Sequence, residues 1–216
     1  MRTYTSYHPE WATIMQQELA NDPASNWMQP KSNADFNKGK MRFVNRNINY
    51  FYYESMISLA LKNQYEFNPN YPKILEFCEY IRSLIGEAGP FGRMSIWNLP
   101  AKADLLPHYD NWPYHRVINR YIFSISDHSA TDVLVKIDTE EVAITPGILF
   151  RMHPCREKHE FVNYTDKDWH FLAIDYWIPD RLIAVAAENN ITAETEIYYE
   201  PGFGYNGKKT KYASAE

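Results

Sequence analysis

Leu106-Pro107-His108-Tyr109-Asp110 decides the reading of this chain, taken together with Lys158-His159-Glu160-Phe161-Val162-Asn163 further along. On an extended strand residues i and i+2 project to the same side, so His108 and Asp110 reach one ion together. A later strand can bring His159 across to complete a face of two imidazoles and one carboxylate. Such a face leaves a ferrous ion one net positive charge and up to three open positions, room for O2 and a bidentate co-substrate side by side.

An H-x-D triplet alone is common, but its surroundings are not. Six of the seven histidines (His108, His115, His128, His153, His159 and His170) fall between positions 108 and 170, whereas purely structural histidines would scatter. His153 competes with His159 for the third ligand position. Context favours His159: Pro146-Gly147-Ile148-Leu149-Phe150 reads as a turn feeding a buried strand before it, and the apolar run Trp169 to Trp177 follows it.

Outward from these motifs, the segment after Gly89-Pro90 breaks into short apolar runs separated by turn residues. Strands are expected near 92–98, 104–109, 117–125, 132–137, 140–144, 147–152, 158–163 and 169–177. Eight short strands in one unit fit a double-sheet jelly roll, whose open mouth can hold a ligand between the sheets. The N-terminal third is helical instead: helices are expected over His8–Leu19, Glu54–Leu61 and Pro72–Leu84, the last with Ile74, Leu75, Cys78, Ile81 and Leu84 on one stripe and Pro72 in its first turn. Asn21 to Tyr52 has weak periodicity and reads as a loop covering the site. The whole is an α+β chain with one domain over 1–216: a helical region 1–90, a jelly-roll (double-stranded β-helix, cupin-like) core 91–179, and a C-terminal helix from Asp180 to Glu188 with an irregular tail to 216.

At 216 residues and 25.5 kDa the chain is one domain by length, with 45% hydrophobic residues for a core. A net charge of −5 and a pI near 5.8 speak against a nucleic-acid partner. No apolar stretch reads as a signal peptide or a membrane span, so a cytoplasmic location is expected. Cys78 and Cys155 are the only cysteines, which suits a reducing compartment and offers no zinc-type cluster. Asn163-Tyr164-Thr165 matches a glycosylation acceptor; without a secretory signal it reads as coincidence.

The order and spacing of several pieces resemble one family. Ser95-Ile96-Trp97, Leu106-Pro107-His108-Tyr109-Asp110, Asn119-Arg120-Tyr121, Pro146-Gly147-Ile148-Leu149-Phe150, His159-Glu160-Phe161-Val162-Asn163 and Leu172-Ala173-Ile174-Asp175-Tyr176-Trp177-Ile178-Pro179 are similar to the catalytic jelly roll of aspartyl/asparaginyl beta-hydroxylase-like Fe(II)/2-oxoglutarate-dependent oxygenases. The resemblance covers Gly92 to Pro179, under half the chain. It implies iron held by His108, Asp110 and His159, with 2-oxoglutarate and O2 as co-substrates. Decarboxylation to succinate and CO2 would be coupled to hydroxylation of an unactivated C–H bond. Related halogenating enzymes carry a small residue at the Asp position, so Asp110 favours hydroxylation.

One departure matters. Many members of the wider superfamily carry an arginine about ten residues after the distal histidine, pairing with the far carboxylate of 2-oxoglutarate; Trp169 and His170 stand there instead. A buried dicarboxylate still needs a cation or several donors. Arg120 is the replacement expected, because a family arginine on the corresponding strand binds carboxylate; Ser95 matches a family serine that hydrogen-bonds the co-substrate, and His170 could add a donor. Trp169 reads as a wall residue. Trp112, His115 and Arg116 are expected on a loop at the site's mouth where they could read substrate, Arg116 being suited to a carboxylate. Arg93 and Arg151 are further options. The substrate expected from the resemblance is an Asp- or Asn-type side chain in a peptide or protein, with a free amino acid or small metabolite as the alternative. A cupin-type metalloenzyme that uses no 2-oxoglutarate and a metal-free jelly-roll binding module are the rival readings.

Overall fold

Trp169–Trp177 is buried at eight of its nine positions and apolar on both faces, the signature of a strand covered from two sides. The computed structural model describes residues 5–21, 40–43, 53–64, 66–86, 88–110, 113–198 and 211–213. In chain order the elements are β1 (Thr5–Tyr7), α1 (Pro9–Ala20), β2 (Lys40–Phe43), α2 (Tyr53–Lys62), α3 (Pro72–Ile85), β3 (Phe91–Leu99), β4 (Asp104–His108), a 3-10 turn (Pro113–Arg116), β5 (Ile118–Ser124), β6 (Val133–Ile137), β7 (Glu140–Val142), β8 (Ile148–Met152), β9 (His159–Asn163), β10 (Trp169–Trp177), α4 (Pro179–Glu188), β11 (Glu196–Tyr198) and β12 (Lys211–Ala213).

Two sheets face each other. The larger runs β1-β8-β5-β10-β3-β2 and the smaller β4-β9-β6-β7, which is the jelly roll expected from the eight runs, with β1 and β2 added at the two edges of the larger sheet. β2 falls within the stretch 21–52 that reads as a covering loop: Lys40–Phe43 pairs with Ser95–Asn98 of β3, and most of the rest of that stretch lies outside the described residues.

Alternation along the strands sends one set of side chains between the sheets and the other set outward. Leu105, Ile122, Phe150, Met152, Phe161, Trp169 and Phe171 form the inter-sheet core. On the outer face of the larger sheet Phe123, Leu172 and Ile174 pack against Met15 of α1 and Phe77 and Ile81 of α3. Each such side chain taken fully out of water contributes ~1.5–3 kcal/mol. The buried stripe of α3 is Ile74, Phe77, Cys78 and Ile81. Leu84, expected on that stripe, is 47% exposed in the last turn, where the helix stops at Gly86.

α2 and α4 close one end, with Met56, Ile57 and Leu182 packed around Tyr114, Ile118 and Trp177. Gly147 adopts φ 90° in the turn before β8, and any Cβ there would collide with the backbone of Pro9; both constraints call for glycine. No helix among the described residues is long and apolar enough to cross a membrane.

Candidate metal centre

β4 and β9 pair antiparallel with Leu105 opposite Phe161 and His108 opposite His159, so three residues of β4 span two of β9. This bulge has a consequence for aim. Strict alternation would turn His108 to the opposite face from Leu105, which is in the inter-sheet core; the extra residue turns His108 inward beside His159. On β9 alternation is regular, with His159, Phe161 and Asn163 buried. β4 ends at His108, so Asp110 is not on the strand as the i, i+2 argument assumed. It is held just beyond it by its backbone N–H, which donates to the Pro154 carbonyl at 2.8 Å.

The three side chains meet. His108 Nε2 lies 3.6 Å and His159 Nε2 3.9 Å from Asp110 Oδ1, and the imidazole rings are 4.3 Å apart at their centroids. One donor atom from each lies within 4.8 Å of the others, and no other such group of three occurs among the described residues. His153, the rival ligand, is outside the group; its Nε2 lies 3.1 Å from Arg151 Nη2. Two imidazole nitrogens and a carboxylate oxygen fit a divalent ion of the ferrous type.

The tautomers suit this. His108 Nδ1 sits 2.6 Å from the Leu106 carbonyl and His159 Nδ1 3.0 Å from the Glu157 carbonyl. A carbonyl only accepts, so each Nδ1 carries the hydrogen and each Nε2 turns its lone pair to the shared space. Burial lowers the His159 pKa to about 4, which keeps that ring neutral. At His108 burial pulls downward, but hydrogen bonds to Asp110 and Leu106 prevail and the net shift is upward. Burial would raise the Asp110 carboxyl; the surrounding histidines and Arg120 hold it well below the usual carboxylate range, so it is ionised.

Behind Asp110 lies a buried charge network. Arg120 donates from Nη1 to Asp110 Oδ2 at 2.6 Å, from Nε to Asp175 Oδ1 at 2.7 Å and from Nη2 to Asp175 Oδ2 at 3.0 Å. Arg93 Nε lies 3.6 Å from Asp175 Oδ2, and the Arg93 N–H donates to the Tyr114 hydroxyl at 2.6 Å. Arg120 thus bonds two protein carboxylates, Asp110 and Asp175, with three of its five N–H groups. Its partner Asp175 is fully buried. Asp175 is not among the site residues expected from the sequence, although a lone carboxylate inside a nine-residue apolar strand signals a buried cation nearby.

The other expected residues divide. Ser95 is buried on the face of β3 that carries Arg93 and Trp97, and its Oγ accepts from Trp97 Nε1 at 3.0 Å. His170 belongs to the opposite face of β10 from Trp169, Phe171 and Asp175 and is hydrogen-bonded to Ser126, so alternation removes it from the co-substrate set. His115 is buried in the 3-10 turn with Nδ1 3.6 Å from Asp110 Oδ2, not on an open loop as expected, and burial drops its pKa to about 3. Arg116 is exposed, its carbonyl accepting from Arg181 Nη1 at 2.5 Å. Trp112 lies outside the described residues. Arg151 shares the outer face of the larger sheet with its register partner Tyr121, away from the triad.

At the far end of the inter-sheet space Trp169 is a wall residue in the literal sense. Its ring is 2% exposed among Phe161 and Phe171, which stack at 5.1 Å, and Trp97 stacks on Phe171 at 6.2 Å. Trp169 Nε1 donates to Ser124 Oγ at 3.1 Å, and Ser124 pairs with His128 Nε2 at 2.7 Å. Asn163 is 1% exposed with its amide nitrogen donating to the carbonyls of Leu99, Pro100 and Lys167, so it serves as a structural clamp.

No protein-family model and no curated protein sequence matches the chain. Solved structures do match in fold. A prolyl hydroxylase from Trichoplax adhaerens, in complex with a hypoxia inducible factor oxygen degradation domain peptide fragment, aligns with TM-score 0.59 over 85% of this chain and 86% of its own, at 13% identity. A Pseudomonas putida prolyl-4-hydroxylase aligns with TM-score 0.54 over 81% of this chain and 91% of its own, at 10% identity. The chain thus shares the fold of the prolyl hydroxylases over most of its length.

Proposed function

We propose that the chain is a non-haem Fe(II)- and 2-oxoglutarate-dependent dioxygenase that hydroxylates an unactivated C–H bond. The convergence of His108, Asp110 and His159 inside a fold shared with prolyl hydroxylases carries this reading. Ferrous ion bound there would use O2 and 2-oxoglutarate as oxidant, releasing succinate and CO2. The chain's own residues fix two Nε2 lone pairs and one carboxylate oxygen, and the Asp110 carboxylate takes the position that a halide would need, which favours hydroxylation over halogenation.

Charge supports a dicarboxylate co-substrate. Arg93 and Arg120 balance Asp110 and Asp175 within the barrel, so a ferrous ion adds two uncompensated positive charges. A buried excess of that size is costly, and a dianion such as 2-oxoglutarate neutralises it. Ser95 is suited to assist, because its hydroxyl accepts from Trp97 and can still donate to a co-substrate oxygen.

For substrate, we propose an Asp- or Asn-type side chain in a peptide or protein, on the family resemblance, with Arg116 contacting a carboxylate. The exposure of Arg116 at the end of the turn that follows Asp110 supports that contact. The peptide bound to the Trichoplax enzyme supports a peptide-sized substrate; a free amino acid is the alternative.

One observation favours a second reading, a cupin-type metalloenzyme that uses no 2-oxoglutarate: Trp169 and its aromatic neighbours fill the end of the barrel where the superfamily's anchoring arginine would stand. Anaerobic titration with ferrous ion followed by 2-oxoglutarate separates the two. A metal-to-ligand charge-transfer band supports the oxygenase, metal binding without the band supports the cupin, and no metal binding removes both.

A further inference from the structure

We infer that Arg120, locked in place by Asp175, is a positioning residue that restricts Asp110 to one metal-facing oxygen. The inference rests on the metal-centre reading above and adds to it how the carboxylate ligand is made to occupy a single coordination position.

The two oxygens of Asp110 face different neighbours. Oδ1 is the atom near His108 Nε2 and His159 Nε2, at 3.6 and 3.9 Å, while Oδ2 takes the Arg120 Nη1 hydrogen bond at 2.6 Å. An aspartate near a divalent ion can bind through one oxygen or both, and binding through both removes one of the positions the ion would offer to other ligands. A short charge-assisted bond to Oδ2 opposes that by fixing the rotation of the carboxylate.

The bond only directs Asp110 if Arg120 is itself immobile, and the structure supplies the reason. Nε and Nη2 grip both oxygens of Asp175 in a fork, leaving Nη1 aimed at Asp110. Asp175 is fully buried on β10, the centre strand, directly opposite Arg120 in the strand register, and Arg93 approaches it from the other side. Simple charge neutralisation would not require this arrangement, since Asp110 already faces three histidines and, on the metal-centre reading, a cation.

Mn(II) is the probe, because water-proton relaxation counts the exchangeable waters on the bound ion independently of any turnover. The native protein should bind one Mn(II) carrying about three waters. Arg120→Met should keep the ion but lose about one water, lowering the relaxation enhancement per bound Mn(II) by about a third, and Arg120→Lys, which retains a donor, should recover part of that loss. Because Arg120→Met leaves Asp175 facing only Arg93, its folding is checked by circular dichroism. If it does not fold, Asp175→Asn, which loosens the fork without deleting the arginine, is read instead and should show the same loss in smaller measure. A native water count retained in the folded variant overturns the positioning role and leaves the metal centre standing. Failure of the native protein to bind Mn(II) overturns both.

Discussion

His108 and His159 stand directly opposite each other across β4 and β9 although the residues before them are out of step by one, and that offset is what turns both imidazoles to the same space. His108→Ala, Asp110→Ala and His159→Ala should each weaken ferrous-ion binding by more than roughly 100-fold, since each removes one of only three donors. His153→Ala should leave it within a factor of about two. Anaerobic calorimetry on the four variants checks this, and strong loss in His153→Ala with retention in His159→Ala would reverse the ligand assignment.

Metal binding should also depend on pH in a specific window. The metal needs a neutral His108, whose pKa is raised above its ordinary 6.5 despite burial, chiefly by its hydrogen bond to Asp110. Proton and metal compete for Nε2, so affinity should climb as pH rises through and above 6.5 and then level off. His159, already neutral above about 4, contributes nothing to that climb. Mn(II) affinity measured between about pH 5.5 and 8.5 tests the sign; a flat profile would contradict it.

Folding stability should respond to acid through other groups. His115 and His159 are held neutral by burial, with pKa values down at about 3 and about 4. Unfolded histidine takes up a proton below about 6.5. Between these limits the unfolded chain binds more protons, so stability falls as pH drops from 6.5 toward 4. Urea unfolding of the metal-free protein at about pH 7 and pH 5 should show the loss, and His115→Phe should lessen the difference between the two.

Two substitutions probe the packing. Phe171→Ala opens a cavity between rings already stacked on both sides and should cost about 3–5 kcal/mol. Gly92→Ala places a methyl against the Tyr114 hydroxyl, which accepts the Arg93 N–H. Tyr114 precedes His115, so the displacement should lower the melting temperature and weaken metal binding together. Unchanged metal affinity in Gly92→Ala would show that the 3-10 turn does not transmit the strain.

The eight core strands were legible because each is a short apolar run bounded by turn residues, and β6 and β9 alternate cleanly. The ligand triad was legible from residue type and context. The reason it converges was not: the bulge between Leu105 and His108 arises from pairing with β9, a non-local event whose one local sign, Pro107, marks an edge strand equally well. Arg120 was found but its partner was not, because Asp175 sits 55 residues away in sequence and the pairing depends on strand order. Likewise, His115 is buried beside Asp110 while its neighbour Tyr114 packs under α2 and α4, a placement of the 3-10 turn that helix periodicity alone does not report.

The bulge also frees the aim of His108 from the local count of residues. Leu106 is 48% exposed at the surface of β4, so its identity is open to drift. Removing one residue between Leu105 and His108 would let β4 and β9 fall into step and place the histidine two positions after Leu105, on the inward face by alternation alone. The inward turn of that imidazole is thus reached with the extra residue through pairing with β9 and would be reached without it through alternation, so homologous sequences should be able to lose one residue across that interval while keeping the histidine opposite His159.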